Sequence, residues 1–337
     1  MKAIFYSDRG AAREVLGIDH VPAPVATADE VLVKVFASGA NPSDVKTRQG
    51  NLGPMTVPRT IPHSDGAGII EAVGEGVSKR RVGEKVWLYN VNRTPCGMGQ
   101  GEHGTAAEFV AVDKHLAVPL THGVSFEEGA CLGVPAMTAH RALFANGPVA
   151  GKTVLITGGA GAVGSMAIQM AKYRGAKVIT TVSGEEKAEA ARKDGADVTI
   201  NYKTEPLAER VLEANSGEKL DHIVDVDFGV HVNITPDILK PDAMIAAYAS
   251  TSAPQPAIDY YPLMFNNTGI QLVFVYAMSW RHREAAQSDI DQMLRDGALR
   301  PRIAKTYTLD QTVEAHEHIE TGTQIGNVIV TISHDAS

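Results

Sequence analysis

The sequence contains few cysteines and no long apolar segment. Only Cys96 and Cys131 are present among 337 residues, and two thiols form one bridge at most, which excludes a disulfide-stapled scaffold. No run approaches the ~18 consecutive apolar residues that a membrane-spanning helix needs. The apolar stretch at the N-terminus is too short for a secretory signal. We therefore expect a soluble, cytoplasmic protein with no membrane partner.

Positive charge is also in short supply. The chain carries 31 Lys and Arg against 39 Asp and Glu, a net charge of −8. Its one basic cluster, Lys79–Arg81, is typical of a solvated turn. Because binding to nucleic acid needs clustered cations facing the phosphates, we do not expect nucleic acid as a partner. The chain does have 44% apolar residues, and its length suits two domains at roughly 150 residues each.

The pattern along the chain changes near residue 123. Before that point, short β-branched runs such as Val31–Phe36 and Gly68–Val73 alternate with Gly, Pro and Asn turns, which predicts a β-rich domain. After Gly151 the sequence repeats strand, turn and helix, which predicts an α/β domain with a parallel, doubly wound sheet. The last strand of that series is predicted at Gly269–Tyr276, a segment that is apolar on both faces.

A glycine-rich loop follows the first of these buried strands. Gly159, Gly161 and Gly164 have the spacing G-x-G-x-x-G, directly after the strand predicted at 154–157 and at the start of a helix. In that context the glycines permit a tight turn and let the backbone approach a pyrophosphate at the helix N-terminus. The alternative is a glycine-rich turn that binds no ligand.

The end of the next strand distinguishes the two nicotinamide dinucleotides. A site for NAD places Asp or Glu about 20 residues on, facing the ribose hydroxyls, whereas this strand ends in Val182-Ser183-Gly184. Glu185 and Glu186 come next and are better suited to the first turn of a helix, whose dipole favours them. Ser183, Lys187 and Tyr202 together suit a 2′-phosphate, so NADPH is predicted. The alternative for Lys187 is an ordinary exposed helix lysine.

Several motifs occur in the order seen in one known group. They are Ser38-Gly39-Ala40-Asn41-Pro42-Ser43-Asp44, Ser64-Asp65-Gly66-Ala67-Gly68 with Val73-Gly74, Gly133-Val134-Pro135-Ala136-Met137-Thr138-Ala139, the glycine loop, and Ala315-His316-Glu317. Over essentially its whole length the chain resembles the zeta-crystallin-like quinone oxidoreductases, zinc-independent members of the medium-chain dehydrogenase/reductase superfamily.

The resemblance implies a particular organisation. Residues 1–122 and 279–337 would form a GroES-like catalytic domain and residues 123–278 a Rossmann domain, with the active site in the cleft between them. It also implies a homodimer or tetramer, often formed by pairing the last Rossmann strand across a two-fold axis. Here that strand would be Gly269–Tyr276, because a bare apolar sheet edge usually needs covering.

The resemblance also implies roles for individual residues. Asn41 would contact the nicotinamide and Thr138 its ribose or the phosphates. Further cofactor contacts would come from Ala162 and Val163 at the pyrophosphate, Ser183, Lys187 and Tyr202 at the 2′-phosphate with Asn327 nearby, and Ala247, Ser250 and Val275 at the ribose and nicotinamide.

No metal is expected at the active site. Where zinc-dependent relatives carry cysteine and histidine ligands, this chain has Asn41 and Ser64, and neither supplies the thiolate or imidazole that zinc prefers. His63, His103 and His140 have no spacing partner that suggests a metal pair, so loop or packing roles are favoured. An unusual insert, residues 90–103, is a candidate for part of the cleft wall.

The predicted reaction is NADPH-dependent reduction of a quinone by hydride transfer. An electron-poor quinone needs little activation, since its reduced oxygens can take protons from water. Lys46 and Asp44 are candidate proton donors, although Asp44 equally suits a carboxylate that caps a turn. The alternatives are an alkenal or enone double-bond reductase, and a non-catalytic NADPH-binding protein of the crystallin or RNA-binding type.

Overall fold

The computed structural model describes residues 1–51, 53–93 and 101–334. It divides into two compact units, Met1–Val134 together with the chain from Pro301 onward, and Pro135–Arg300. Half of the insert predicted to contribute to the cleft wall, residues 94–100 with Cys96, lies outside the described residues.

The strands are β1 (Lys2–Phe5), β2 (Gly17–His20), β3 (Glu30–Ala40), β4 (Asp65–Val73), β5 (Lys85–Leu88), β6 (Phe109–Asp113), β7 (Ala117–Pro119), β8 (Thr153–Ile156), β9 (Lys177–Val182), β10 (Val198–Asn201), β11 (Leu220–Asp225), β12 (Leu239–Ala247), β13 (Gly269–Leu272), β14 (Ile303–Thr308) and β15 (Asn327–Thr331).

The α-helices are α1 (Ala12–Val15), α2 (Pro42–Gln49), α3 (Phe126–Gly129), α4 (Met137–Leu143), α5 (Ala162–Tyr173), α6 (Glu185–Lys193), α7 (Leu207–Ala214), α8 (Phe228–His231), α9 (Thr235–Ile238), α10 (Tyr260–Phe265), α11 (Trp280–Arg295) and α12 (Thr312–Glu320). A π-helical turn spans Leu132–Ala136, and 3₁₀ turns span Lys79–Arg81, Val232–Ile234, Val275–Ala277 and Leu309–Gln311.

The first unit is built on a seven-stranded sheet in the order β14-β15-β3-β4-β5-β7, with β6 paired to β3. Strand β3 is its centre, because it pairs antiparallel with β15, β4 and β6 along its eleven residues. Val31, Val33 and Val35 on this strand are fully buried while their neighbours are not, the period of two expected of a strand with one core face. The β-rich first domain is thus confirmed.

The second unit contains a six-stranded sheet in the order β10-β9-β8-β11-β12-β13, and every pairing is parallel. Helices separate its consecutive strands, which confirms the predicted doubly wound α/β domain. The edge strand β13 is shorter than predicted: it ends at Leu272, opposite Ala247 of β12. Because β12 ends there, no partner strand continues, and residues 275–277 form a 3₁₀ turn instead.

The chain passes between the units later than the predicted boundaries at residues 122 and 278. Helix α3 packs against β3, β4 and β5, so residues 123–134 belong with the first unit. Helix α11 packs against α4, and its Asp289 binds His140 at 2.9 Å and Arg174 at 2.8 Å. These contacts place residues 279–300 in the second unit.

Across residues 1–51, 53–93 and 101–334, none of the helices combines the length and the apolar character needed to cross a bilayer.

The close pairing of β3 with β4 gives a test of the fold. A Cβ on Gly68 would lie 2.0 Å from the main-chain oxygen of Lys34, so Gly68→Ala must displace backbone. We expect it to lower the free energy of unfolding by at least ~2 kcal/mol. Urea unfolding followed by the fluorescence of Trp87, which is buried in the adjacent β5, measures this in a Trp280→Phe background.

Gly184→Ala is the matched control, since no atom lies within 4 Å of a Cβ built there. We expect it to change the free energy of unfolding by less than ~0.5 kcal/mol. Equal losses in the two variants would contradict the packing described for Gly68.

Candidate active site

The glycine-rich loop connects β8 to the N-terminus of α5. Gly158 adopts a left-handed φ of +68°, and its N–H donates to the hydroxyl of Thr181 at 3.0 Å. The N–H of Gly159 donates to the carbonyl of the same threonine at 3.0 Å. The loop is thereby tied to the adjacent strand β9, so its shape is set by the protein alone.

The three glycines of the motif are required for different reasons. A Cβ on Gly159 would lie 2.0 Å from the Thr180 hydroxyl, and one on Gly164 would lie 2.3 Å from the carbonyl oxygen of Gly158. Packing therefore demands glycine at both positions. At Gly161 the nearest atom would be 3.4 Å away and φ is −75°, so the fold tolerates a side chain there.

The open space at Gly161 fits a ligand. Its backbone precedes the first turn of α5, where the N–H groups of Ala162 and Val163 lack the intrahelical partners that later residues have. A helix N-terminus with close backbone access is the arrangement that binds a pyrophosphate. The residues present here therefore fit a dinucleotide, and Gly161 is the glycine of the motif that the packing of the fold does not require.

The residues predicted for the 2′-phosphate lie at one edge of the parallel sheet. Asn201 of β10 pairs with Val182 of β9, and the Tyr202 N–H donates to the Val182 carbonyl at 3.2 Å. Ser183 follows directly, and Lys187 lies in the first turn of α6. Glu185 and Glu186 start that helix, as predicted, and Glu185 binds Arg192 at 2.7 Å.

Other predicted cofactor residues lie in the same unit. Ala247 ends β12 in register with Asp225 of β11. The Ser250 hydroxyl accepts from the Gly229 N–H at 3.0 Å and donates to the carbonyl of Ala253. Val275 is buried in a 3₁₀ turn rather than a strand, and Thr138 is buried in α4.

A buried carboxylate near the glycine loop escaped the sequence analysis. Asp225 accepts from the Thr157 hydroxyl at 2.7 Å, from His231 Nδ1 at 2.8 Å and from the Asp227 N–H at 3.1 Å. It lies at the carboxyl end of β11. An acid at the end of a buried strand is the sequence pattern that could have indicated this residue. Its contacts fix the residue that immediately precedes the loop.

In the first unit, Asn41 and Asp44 form the start of helix α2. The Asp44 carboxylate accepts from the Asn41 N–H at 2.8 Å, so the capping interpretation describes its geometry. Burial raises the pKa of Asp44 to about 6. Lys46, the other candidate donor, is half-buried on the same helix.

The side chain of Asn41 is held by a second buried acid, Asp65. Asn41 Nδ2 donates to Asp65 Oδ2 at 2.8 Å, and the Val134 N–H donates to the same oxygen at 2.8 Å. Burial, followed by the nearby charge of Asp44, raises the pKa of Asp65 well above its ordinary value. A Cβ on Gly133 would lie 2.0 Å from Asp65 Oδ1, which explains that glycine.

Asp65 was quoted in a motif but not predicted as a site residue. The sequence pattern that could have indicated it is an acid at the start of the apolar strand Asp65–Val73, where burial requires hydrogen-bond partners.

Asn327, a predicted cofactor residue, lies in the first unit. It begins β15, and its amide donates to the carbonyl of Arg302 at 2.9 Å.

Comparison with known proteins identifies the family. The model described as an alcohol dehydrogenase GroES-like domain matches residues 27–122, and that described as a zinc-binding dehydrogenase matches residues 162–294. A quinone oxidoreductase of Sus scrofa is 30% identical over 302 residues, 89% of this chain and 88% of that protein. The chain belongs to the quinone oxidoreductase family.

Two further matches extend this family assignment. A chloroplastic NADPH-dependent alkenal/one oxidoreductase of Arabidopsis thaliana is 36% identical over 210 residues, 61% of this chain and 54% of that protein. The structure of a mycobacterial protein complexed with NADPH is 26% identical with a TM-score of 0.84, and the match covers 98% of this chain and 100% of that one. The predicted resemblance and fold class are confirmed.

In this quinone oxidoreductase homologue, the two positions where zinc-dependent relatives have metal ligands are occupied by Asn41 and Ser64. The Asn41 amide donates to Asp65, and Ser64 is fully buried. Within the part of the chain that the structure describes, no group of three or more His, Cys, Asp or Glu side chains could hold a metal. His140 is a packing histidine bound to Asp289, whereas His63 binds His316 at 2.9 Å.

The vacant space at Gly161 generates a prediction. We expect Gly161→Ala to weaken NADPH binding at least about tenfold, because the added methyl group occupies the approach to the helix N-terminus. The thermal midpoint of the ligand-free protein should shift by less than about 2 °C. Fluorescence titration with NADPH and thermal unfolding measure the two effects.

Gly164→Ala is the comparison variant, and we expect it to lower the thermal midpoint because its Cβ meets the Gly158 backbone. Unchanged NADPH affinity in Gly161→Ala would show that the open space is not the pyrophosphate site.

Proposed function

We propose that this chain is an NADPH-dependent quinone reductase that transfers hydride without a metal. The observation that carries the proposal is the space at Gly161, where the fold does not require glycine and a bound pyrophosphate would. The similarity to the quinone oxidoreductase of Sus scrofa and to the mycobacterial protein complexed with NADPH supports it.

The cofactor would be held by residues of defined geometry. The N–H groups of Ala162 and Val163 would bind the pyrophosphate, while Ser183, Lys187 and Tyr202 would bind the 2′-phosphate with one charged donor and two hydroxyls. The remaining contacts that we propose are those of Thr138, Ala247, Ser250, Val275 and Asn327.

Bound NADPH would supply the hydride, and the chain would supply position. Asn41 is suited to orient the nicotinamide because its amide both donates and accepts without carrying charge. Its Nδ2 donates to Asp65 Oδ2, and its side chain takes part in the capping box with Asp44 at the start of α2, so the amide is held in one orientation by the protein. Such preorganisation lowers the entropy cost of reaching the reactive geometry.

Protons for the reduced quinone need not come from the protein, since its oxygens can take them from water. Asp44 and Lys46 are the side chains that we propose as donors. Asp44 is the better placed chemically, because a pKa of about 6 lies near the operating pH of most enzymes, where acid catalysis is most efficient.

An alkenal or enone double-bond reductase is the second candidate function. The observation in its favour is the 36% identity to the NADPH-dependent alkenal/one oxidoreductase. The ratio of kcat/KM for 1,4-benzoquinone to that for an α,β-unsaturated ketone distinguishes the two.

We also propose a homodimer formed at the edge strand β13. Its side chains Ile270 and Leu272 are 41% and 66% exposed, and Phe274 beyond it is 46% exposed. An edge of unpaired backbone groups flanked by exposed apolar side chains is a template for pairing with another strand. Pairing of two β13 strands across a two-fold axis would cover both edges at once.

The cytoplasm is the proposed compartment, since Cys131 is a buried free thiol.

The cofactor assignment is tested by one variant on the 2′-phosphate side. We expect rapid oxidation of NADPH by 1,4-benzoquinone, unaffected by a zinc chelator and weak with NADH. Lys187→Ala should raise KM for NADPH at least about tenfold and leave KM for NADH unchanged, because NADH has no 2′-phosphate. Stopped-flow absorbance of the nicotinamide measures both.

Lys193→Ala, on the same helix and paired with Glu189, is the control and should change neither constant. Equal use of NADH by the wild type would refute the NADPH assignment. Absence of turnover with both quinones and enones, despite tight NADPH binding, would favour the non-catalytic alternative.

The dimer proposal has its own test. We expect Leu272→Lys to convert the wild-type dimer to a monomer in size-exclusion chromatography with light scattering, because an ammonium group at the centre of an apolar interface loses its hydration. Val25→Lys, at an apolar side chain that is 79% exposed in the first unit, should leave the dimer intact. A monomeric wild type would rule the proposal out.

A further inference from the structure

Six polar residues form a continuous buried chain of hydrogen bonds in the first unit. Arg48 Nε meets His316 Nδ1 at 3.3 Å, and His316 Nε2 meets His63 Nε2 at 2.9 Å. From His63 the hydrogen bonds continue to Ser38, where His63 Nδ1 lies 2.8 Å from Ser38 Oγ. Ser38 Oγ lies 2.7 Å from Thr105 Oγ1, which donates to the main-chain oxygen of Asp65. Each of the six side chains is fully buried.

The acceptor at one end fixes the direction of the whole chain. A carbonyl oxygen only accepts, so the Thr105 hydroxyl donates to Asp65, and the Ser38 hydroxyl must then donate to Thr105. Ser38 has no further proton to give, so His63 Nδ1 must carry one and donate to it. A neutral His63 then accepts at Nε2, which requires a proton on His316 Nε2.

Arg48, the donor at the other end of the hydrogen-bond chain, independently requires the same tautomer of His316. A guanidinium only donates, so Arg48 requires an unprotonated His316 Nδ1. Both histidines are therefore neutral with one defined tautomer each. Burial lowers the pKa of His63 to about 3 and that of His316 well below its ordinary value, in agreement with neutral rings.

The chain of hydrogen bonds ends at Asp65, the residue that holds the Asn41 amide. Thr105 and Ser38 fix the backbone at Asp65, the first residue of β4, and the carboxyl group of Asp65 binds Asn41 Nδ2. His63 adopts a φ of +74°, a conformation uncommon for residues other than glycine. Strain of this kind persists only where surrounding contacts over-determine the position, and here both ring nitrogens are bonded.

We propose that His63 and His316 are positioning residues for hydride transfer, because their fixed tautomers set the backbone at Asp65 and Asp65 in turn sets the Asn41 amide. This inference rests on the proposed role of Asn41 in the proposed function. Neither histidine touches the reacting atoms.

The charged groups around the pair define its response to pH. His316 faces Arg48 from α2, and Arg48 in turn binds Glu320 of α12 and the carbonyl of Gly10. His63 borders a small cavity, with room for about one water molecule, whose titratable and charged lining groups are Tyr6, Asp44 and Arg93.

Because the folded-state pKa values of both histidines lie below the unfolded value, their contribution to stability is complete above about pH 6.5. It is lost as the pH falls toward 3, where His63 protonates. A protonated ring donates at both nitrogens and cannot accept from Arg48 or from its partner.

Two substitutions at His316 test the proposal. His316→Gln keeps an acceptor toward Arg48 and a donor toward His63 but cannot titrate, whereas His316→Leu removes both. In the NADPH-free protein we expect His316→Leu to speed hydrogen exchange of the Asn41 side-chain amide at least about tenfold, and His316→Gln to leave it near the wild-type rate. NMR with assigned Asn side chains measures this without any turnover.

Kinetics supply the second readout. His316→Leu should lower kcat with 1,4-benzoquinone at least about tenfold, keep the NADPH dissociation constant within threefold, and raise the primary isotope effect with 4-deuterated NADPH. His316→Gln should retain kcat and move acid unfolding to lower pH. His222→Leu, which removes another fully buried histidine, should reduce stability without changing the isotope effect.

The outcomes separate this inference from the proposed function. Unchanged Asn41 amide exchange in His316→Leu would overturn the positioning role whatever the activity, and so would a loss confined to stability, with an unchanged isotope effect. Altered Asn41 exchange in a wild type that reduces no quinone or enone would instead keep the structural coupling and refute the proposed function.

Discussion

The burial of the Asp65 carboxyl group is the constraint around which the first unit is arranged. A carboxyl group in a protein interior costs several kcal/mol unless polar partners replace water. Asn41 from the end of β3 and the N–H of Val134 supply those partners. The same carboxyl excludes any side chain at Gly133, and the neighbouring Gly39 approaches the Ala130 carbonyl so closely that a Cβ would lie 2.2 Å from it. Strand, helix start and π-helical turn are thus packed against one acid.

In the second unit the corresponding constraint is the close packing of backbone around the glycine loop. Gly159 and Gly164 are needed for the strand and helix to pack, whereas packing does not require glycine at position 161. This separation distinguishes the two glycines that packing explains from the one that it does not. The proposed pyrophosphate site lies at this glycine, where the fold itself has room for a methyl group.

Much of this could be predicted from the sequence, and the failures have physical causes. The end of strand β9 agrees with the sequence, because Val182 is followed directly by the Ser183-Gly184 turn. The length of β13 does not, because it is set by where β12 ends, a tertiary property. Local sequence patterns, the glycine spacing after a strand and two acids at a helix start, identified the glycine loop and the first turn of α6. They could not show that Asp65 holds Asn41, or that His63 and His316, 253 positions apart, share one hydrogen bond. The compact units divide at other residues than the predicted domains, because the division follows the packing of α3 and α11.

The open edge of β13 has a consequence for handling the protein in solution. In the proposed dimer each β13 edge is covered by the second copy, so it is exposed whenever the copies separate, and dilution favours separation. The exposed apolar side chains of Ile270, Leu272 and Phe274 then become available to any partially unfolded chain. Loss of material on storage should accordingly worsen as the stock is diluted, the reverse of the usual concentration dependence of aggregation.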